Sequence, residues 1–113
     1  MTAKTPFHQG FKSRPVLVIA QADSHDYVCL PISRVTKQHN IDPHYDIKVD
    51  PVSYPKLNLN YVSYVRTHKQ TSVHSGSFVN AVADMRTEYS DLYLTILERR
   101  EEFSESVTEQ ALG

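Results

Sequence analysis

The sequence predicts a small domain that is mainly β with a C-terminal helix, an α+β chain, and three observations carry that expectation. Val16-Leu17-Val18-Ile19-Ala20 is a short, β-branched apolar run closed by the polar Gln21-Ala22-Asp23-Ser24, the pattern of a strand buried on both faces. Three more β-like runs, at 27–33, 45–49 and 61–65, recur between turn formers. The period then changes: Val82, Met85, Tyr89, Leu92, Tyr93, Ile96, Leu97 and Phe103 fall at helical offsets with charged residues between them. A chain of 113 residues fits one domain with one core.

Residues 1–13 are polar and broken by Pro6 and Gly10, and are expected as a loose arm with Phe7 and Phe11 as anchors. Pro15 has no N–H to donate, so it is expected at the first strand residue, holding Arg14 extended at the rim of a rigid element. Asp23-Ser24-His25-Asp26 is turn material, which predicts a hairpin between the strand at 15–20 and the run at 27–33. Pro31 inside the second run favours an edge or a bulge there. Residues 34–43 read as a surface loop carrying Arg34, Lys37 and His39.

Tyr45-Asp46-Ile47-Lys48-Val49 alternates as a strand with one wet face, and Pro51 stops it. The run at 61–65 delivers Arg66-Thr67-His68-Lys69 at its end. Residues 14–76 are thus the β-rich part and 77–103 the amphipathic helical part. Ser77, Asn80 and Thr87 are acceptable caps, and a break is allowed near 84–87. Residues 104–113 are expected to fray as an acidic tail.

Composition narrows the function classes. The single Cys29 sits in an apolar run, which predicts a buried small hydrophobe and removes disulfide frameworks and Cys-based zinc sites. No apolar stretch approaches membrane-spanning length and the first residues hold no signal-like apolar core, so a cytoplasmic protein without a membrane partner is expected. Residues 1–76 hold nine Lys/Arg against five Asp together with all six His, whereas 77–113 hold three Arg against eight acids. A basic half of this kind suits a polyanion, and equally suits an ordinary solvated face.

The histidine spacings match no metal-ligand pattern, no Gly-x-Ser-x-Gly elbow occurs, and three glycines are too few for a phosphate loop, so no metal and no cofactor are expected. What remains is a set of strand-end groups: Arg14, Ser33, and Arg66 with Thr67 and His68. Taken singly, Arg14 reads as a rim arginine in a surface ion pair, Ser33 as a hydroxyl bonded to its loop, and His68 as a surface imidazole. Should the ends converge, they would form a pocket with two guanidinium forks and a hydroxyl, which suits a phosphate. Metal-free RNA cleavage needs a group to take the 2'-hydroxyl proton, a donor to the leaving 5'-oxygen, and positive charge at the pentacovalent phosphorus.

Lys12-Ser13-Arg14-Pro15-Val16-Leu17-Val18-Ile19, then Leu30-Pro31-Ile32-Ser33, then Ser63-Tyr64-Val65-Arg66-Thr67-His68-Lys69-Gln70, followed by an amphipathic helix, resemble the MazF/PemK family of toxin endoribonucleases. The resemblance implies a homodimeric SH3-like barrel, the toxin of a type II toxin-antitoxin pair. Such a toxin cleaves single-stranded RNA at short sequences without metal, leaving a 2',3'-cyclic phosphate and a 5'-hydroxyl, and is neutralised by a cognate antitoxin. By position, Arg14 matches the family's catalytic arginine and Ser33 falls where a catalytic Thr is usual, the hydroxyl being kept. Arg66, Thr67 and His68 match a segment near the dimer surface and RNA groove, and Lys12 and Arg34 flank the two catalytic positions as RNA-binding candidates. The general base is left open, with His8 and His68 as candidates by residue type. The family's usual first strand has no clear counterpart before Arg14, which leaves three expectations: the arm substitutes, a partner chain pairs with the edge, or the chain is an inactive SH3-like barrel that binds a protein, a peptide or nucleic acid.

Overall fold

A computed structural model describes residues 2–7, 10–80 and 83–112, and the side chains of residues 14–78 and 83–108. Seven strands, β1 (Thr2–Phe7), β2 (Gly10–Gln21), β3 (Asp26–Ser33), β4 (Asp46–Val49), β5 (Ser63–Arg66), β6 (Thr71–His74) and β7 (Phe78–Asn80), precede two helices, α1 (Met85–Glu88) and α2 (Ser90–Leu112). The sheet is antiparallel and open, in the order β4-β5-β3-β2-β1-β7, with β6 pairing β3 beside β5. The chain is therefore an α+β domain with its long helix at the C-terminal end. No described helix is long and apolar enough to cross a membrane.

Two prolines mark the points where strands change partners. Pro15 is the last β2 residue paired with β1, opposite Thr2, and Val16 is the first paired with β3, opposite Pro31. A residue without an N–H fits a ladder best at such a changeover, which is why Pro15 sits inside a twelve-residue strand rather than at its first position. Pro31 likewise falls between Cys29, the last β3 residue paired with β6, and Ile32, the first paired with β5. The register slip of the hairpin lies elsewhere, between Val18 and Ala20.

The apolar run is covered on both faces at Val16 and Leu17, while Val18 and Ile19 are half-buried and Ala20 is exposed. Leu17 joins Leu30, Ile32, Val49 and Val65 on the face that meets Met85, Leu92 and Ile96 of the helices. Val16 joins Cys29 and Val73 on the opposite face, with Val18, Tyr27 and Phe78 packed around them. Alternation along β2 places consecutive residues in the two clusters. Ile96 is fully buried, so its truncation to Ala would cost about 2–5 kcal/mol. Burial pushes the Cys29 thiol up to about 11, in keeping with a small hydrophobe.

Four boundaries differ from the sequence reading. The expected arm supplies β1, which pairs with β2 from Thr2 opposite Pro15 to Phe7 opposite Gly10; the free edge of β2 lets a polar segment satisfy its backbone in a ladder. Residues 78–80, assigned to the helical part, form β7 against β1. The helix begins later, capped by Asp84, whose carboxylate accepts from the Thr87 N–H at 3.4 Å and the Thr87 hydroxyl at 3.1 Å, and the break falls at Tyr89. Residues 104–112 continue α2 instead of fraying, since the segment carries no proline or glycine before Gly113.

Candidate functional site

The β2/β3 register builds a fork. Val16 opposite Pro31 is the last pair of that ladder, and continuing it by two residues sets Arg14 against Ser33, on the face that carries Val16 and Pro31. Instead β2 turns to β1, with Arg14 opposite Ala3, while Ser33 pairs with Tyr64 of β5. The strands separate, and a groove of about 270 Å³ opens between them. Its apolar floor is Val16, Pro31 and Val73; Arg14, Ser33, Thr71, Ser72, His74 and Ser77 supply the polar lining.

Arg14 is exposed, and among the described residues no carboxylate forms an ion pair with it. Among the described residues, every titratable or hydroxyl side chain lining the groove is able to donate a hydrogen bond, and no Asp or Glu lines it. The arrangement is therefore complementary to an anion with several oxygens. Thr71, Ser72, His74 and Ser77 are not site candidates in the sequence reading, which takes Ser77 only as a helix cap. The alternation of Thr71 and Val73 in a four-residue run is the only local signal of β6, and its pairing with Asp26–Cys29 depends on residues more than forty positions away.

The remaining site candidates sit elsewhere. Arg66 does not converge with Arg14 and Ser33: Asp46 lies directly opposite it in the β4/β5 register and captures the guanidinium, with Nε to Oδ1 at 3.1 Å and Nη2 to Oδ2 at 3.3 Å, while Nη2 also donates to the Asn40 carbonyl at 3.0 Å. The Asp46 side chain is fully buried. Thr67 is 1 % exposed and donates its hydroxyl proton to the Tyr45 carbonyl at 2.6 Å. His68 Nδ1 lies 3.5 Å from Asp46 Oδ1 without hydrogen-bond geometry, and its ring packs by Tyr45 and Phe103. Thr67 and His68 line a separate depression of about 310 Å³ against α2, with Gln70, Arg100 and Phe103.

The Arg34 guanidinium lies over the Tyr61 ring, 4.0 Å from its centre. Lys12 belongs to β2, opposite Thr5, and its side chain lies outside the described residues, as does His8 altogether. Around Asp46, two backbone donors, the N–H groups of Tyr45 at 2.8 Å and His44 at 2.9 Å, hold the Asp42 carboxyl below its ordinary value. His44 pairs with Glu102 of α2, and Tyr45 meets Phe103 edge-on. This region fastens the 38–46 loop to the helix. No family model and no curated protein matches the chain.

Proposed function

We propose that the chain is a metal-independent endoribonuclease of the MazF/PemK type, the toxin of a type II toxin-antitoxin pair, acting on single-stranded RNA in the groove between β2 and β3. The observation that carries this reading is the shared groove of Arg14 and Ser33, a guanidinium and a hydroxyl that line it with no carboxylate among the described residues. The 2'-hydroxyl gives its proton to water as its oxygen attacks the adjacent phosphorus, the bond to the 5'-oxygen breaks, and the departing oxygen takes a proton from water, leaving a 2',3'-cyclic phosphate and a 5'-hydroxyl. Arg14 holds the charge that develops on the phosphorane and donates to the departing oxygen; Ser33 donates to the scissile phosphate.

The reading entails an SH3-like barrel, a homodimer and a cognate antitoxin in the cytoplasm. In support of the barrel, β6 and β7 are joined only through the turn Ser75–Ser77, so one stretch of chain borders both β3 and β1. β1 lies before Arg14 in the place of the first strand that the sequence reading found missing, and it is flanked by β2 and β7. The test is incubation of the purified protein with mixed-sequence single-stranded RNA in the presence of chelator. Discrete cleavage with 2',3'-cyclic phosphate ends, lost in Arg14→Ala and kept in Lys48→Ala, is the expected result. Intact RNA bound in a salt-dependent manner would replace the nuclease with a nucleic-acid-binding module.

A further inference from the structure

Tyr61 stands just before β5, the strand that pairs with Ser33, and 56 % of it is open to solvent. The backbone beneath it is held: Leu59 packs against the core, and the buried Ser63 donates its hydroxyl proton to the Tyr61 carbonyl at 3.0 Å. Upstream, the Pro55–Leu57 turn is tied to the helices by the Lys56 N–H, which donates to the Tyr89 hydroxyl at 3.0 Å, and by the Lys56–Glu88 ion pair at 2.6 Å. One exposed tyrosine is ordinary; the cation on this one is not. Arg34 Cζ lies 4.0 Å from the ring centre, so the guanidinium covers one face of the ring, and the exposure leaves the other face to water. Among the described residues no carboxylate forms an ion pair with Arg34, so its charge is not neutralised. Arg34 directly follows Ser33, with their Cα atoms about 3.8 Å apart, so the stack adjoins the β3 end of the groove.

From this arrangement we infer that the Arg34–Tyr61 stack is a nucleobase subsite for single-stranded RNA: a base lies on the open face of Tyr61, and the Arg34 charge attracts the backbone of the same strand. Every base has a π-face, so such a stack accepts single strands of any sequence and rejects duplexes, whose bases already stack on one another. The inference rests on the endoribonuclease reading only for the course of the strand, which runs from the phosphate at Arg14 and Ser33 to a neighbouring base at Tyr61. Tyr61 has recognition as its role and no part in the chemical step.

Substitutions at position 61 and a strand without bases test it on the full chain. The probes are a mixed-sequence single-stranded oligodeoxynucleotide, which lacks the attacking 2'-hydroxyl, and an abasic deoxyribose-phosphate strand of the same length. Y61A is expected to bind the base-bearing strand about tenfold more weakly than wild type, Y61L equally weakly, since it keeps apolar bulk without a ring face, and Y61F within about twofold of wild type. All four proteins bind the abasic strand alike. The chain has no tryptophan, so Y61W places a single reporter in the stack, and its emission is quenched by the base-bearing strand and not by the abasic one. Y61A or Y61L binding as tightly as wild type, a loss in Y61A that is equal on the abasic strand, or unquenched Y61W overturns the inference. If wild type leaves RNA intact while strand binding follows the ring at position 61, the nuclease reading falls and the subsite stands. If wild type cleaves RNA and Y61A equals it in both binding and rate, the subsite falls alone.

Discussion

Arg14 and Arg66 lie in neighbouring parts of one sheet and meet opposite fates. Arg66 has Asp46 as its cross-strand neighbour, and the two form a half-buried ion pair that also ties down the Asn40 carbonyl. Arg14 has Ala3 as its cross-strand neighbour and faces the open end of the β2/β3 fork. The contrast teaches that a strand-end arginine is made available or consumed by the residue one strand away. A spacing argument along the chain cannot see that neighbour. The first region is arranged to receive an anion; the second already contains one.

Substitutions at the two arginines should therefore move different observables. Arg14→Ala is expected to lower RNA cleavage by about 10²–10³-fold, the usual cost of removing a donor aimed at developing charge, with the urea midpoint unchanged. Arg66→Ala leaves the fully buried Asp46 carboxylate without its partner and should cost about 3 kcal/mol of stability, read by urea unfolding, while the folded fraction keeps its specific activity. An Arg66→Ala protein of normal stability and no activity would reverse the assignment of the two regions.

Smaller effects sharpen the same contrast. Ser33→Ala should reduce cleavage about tenfold and Ser33→Thr should restore it, since one neutral hydrogen-bond donor is removed and replaced. The second region should also respond to acid. The Tyr45 and His44 amides depress the Asp42 carboxyl below its ordinary 3.8, so its stabilisation is complete above that value and is lost as the pH falls through the lower folded value. Urea midpoints measured between neutral and strongly acid pH should fall on the acid side, with a shallower fall in Asp42→Asn; an unchanged slope in that variant removes Asp42 from the account. Cys29, fully buried with its thiol raised to about 11, should react with iodoacetamide at neutral pH only at the rate of unfolding.

The legibility of the sequence follows the range of the interactions involved. The strand through Val16 and Leu17, its hairpin partner, the strands near Ile47 and Val65 and the apolar stripe of α2 all announce themselves through local periodicity, and each is present. β1 and β6 are not visible that way: Thr2–Phe7 is half polar and holds Pro6, Thr71–His74 is only four residues, and both exist because β2 and β3 offer them a ladder edge. The groove was half legible. Arg14 and Ser33 could be named because each adjoins a strong strand. His74 could not, because its place in the groove depends on β6, and Arg66 was misplaced in the expected pocket because Asp46 reaches it from twenty residues away.

The most direct measurement is a crystal structure of the full chain with a single-stranded oligonucleotide bearing 2'-deoxyribose at the mapped cleavage position, which blocks attack while keeping the phosphate. The account predicts the scissile phosphate in the fork between β2 and β3, within hydrogen-bond reach of both Arg14 and Ser33. A scissile phosphate seated instead against Arg34 and Tyr61, or in the depression beside His68 and Arg100, would contradict it.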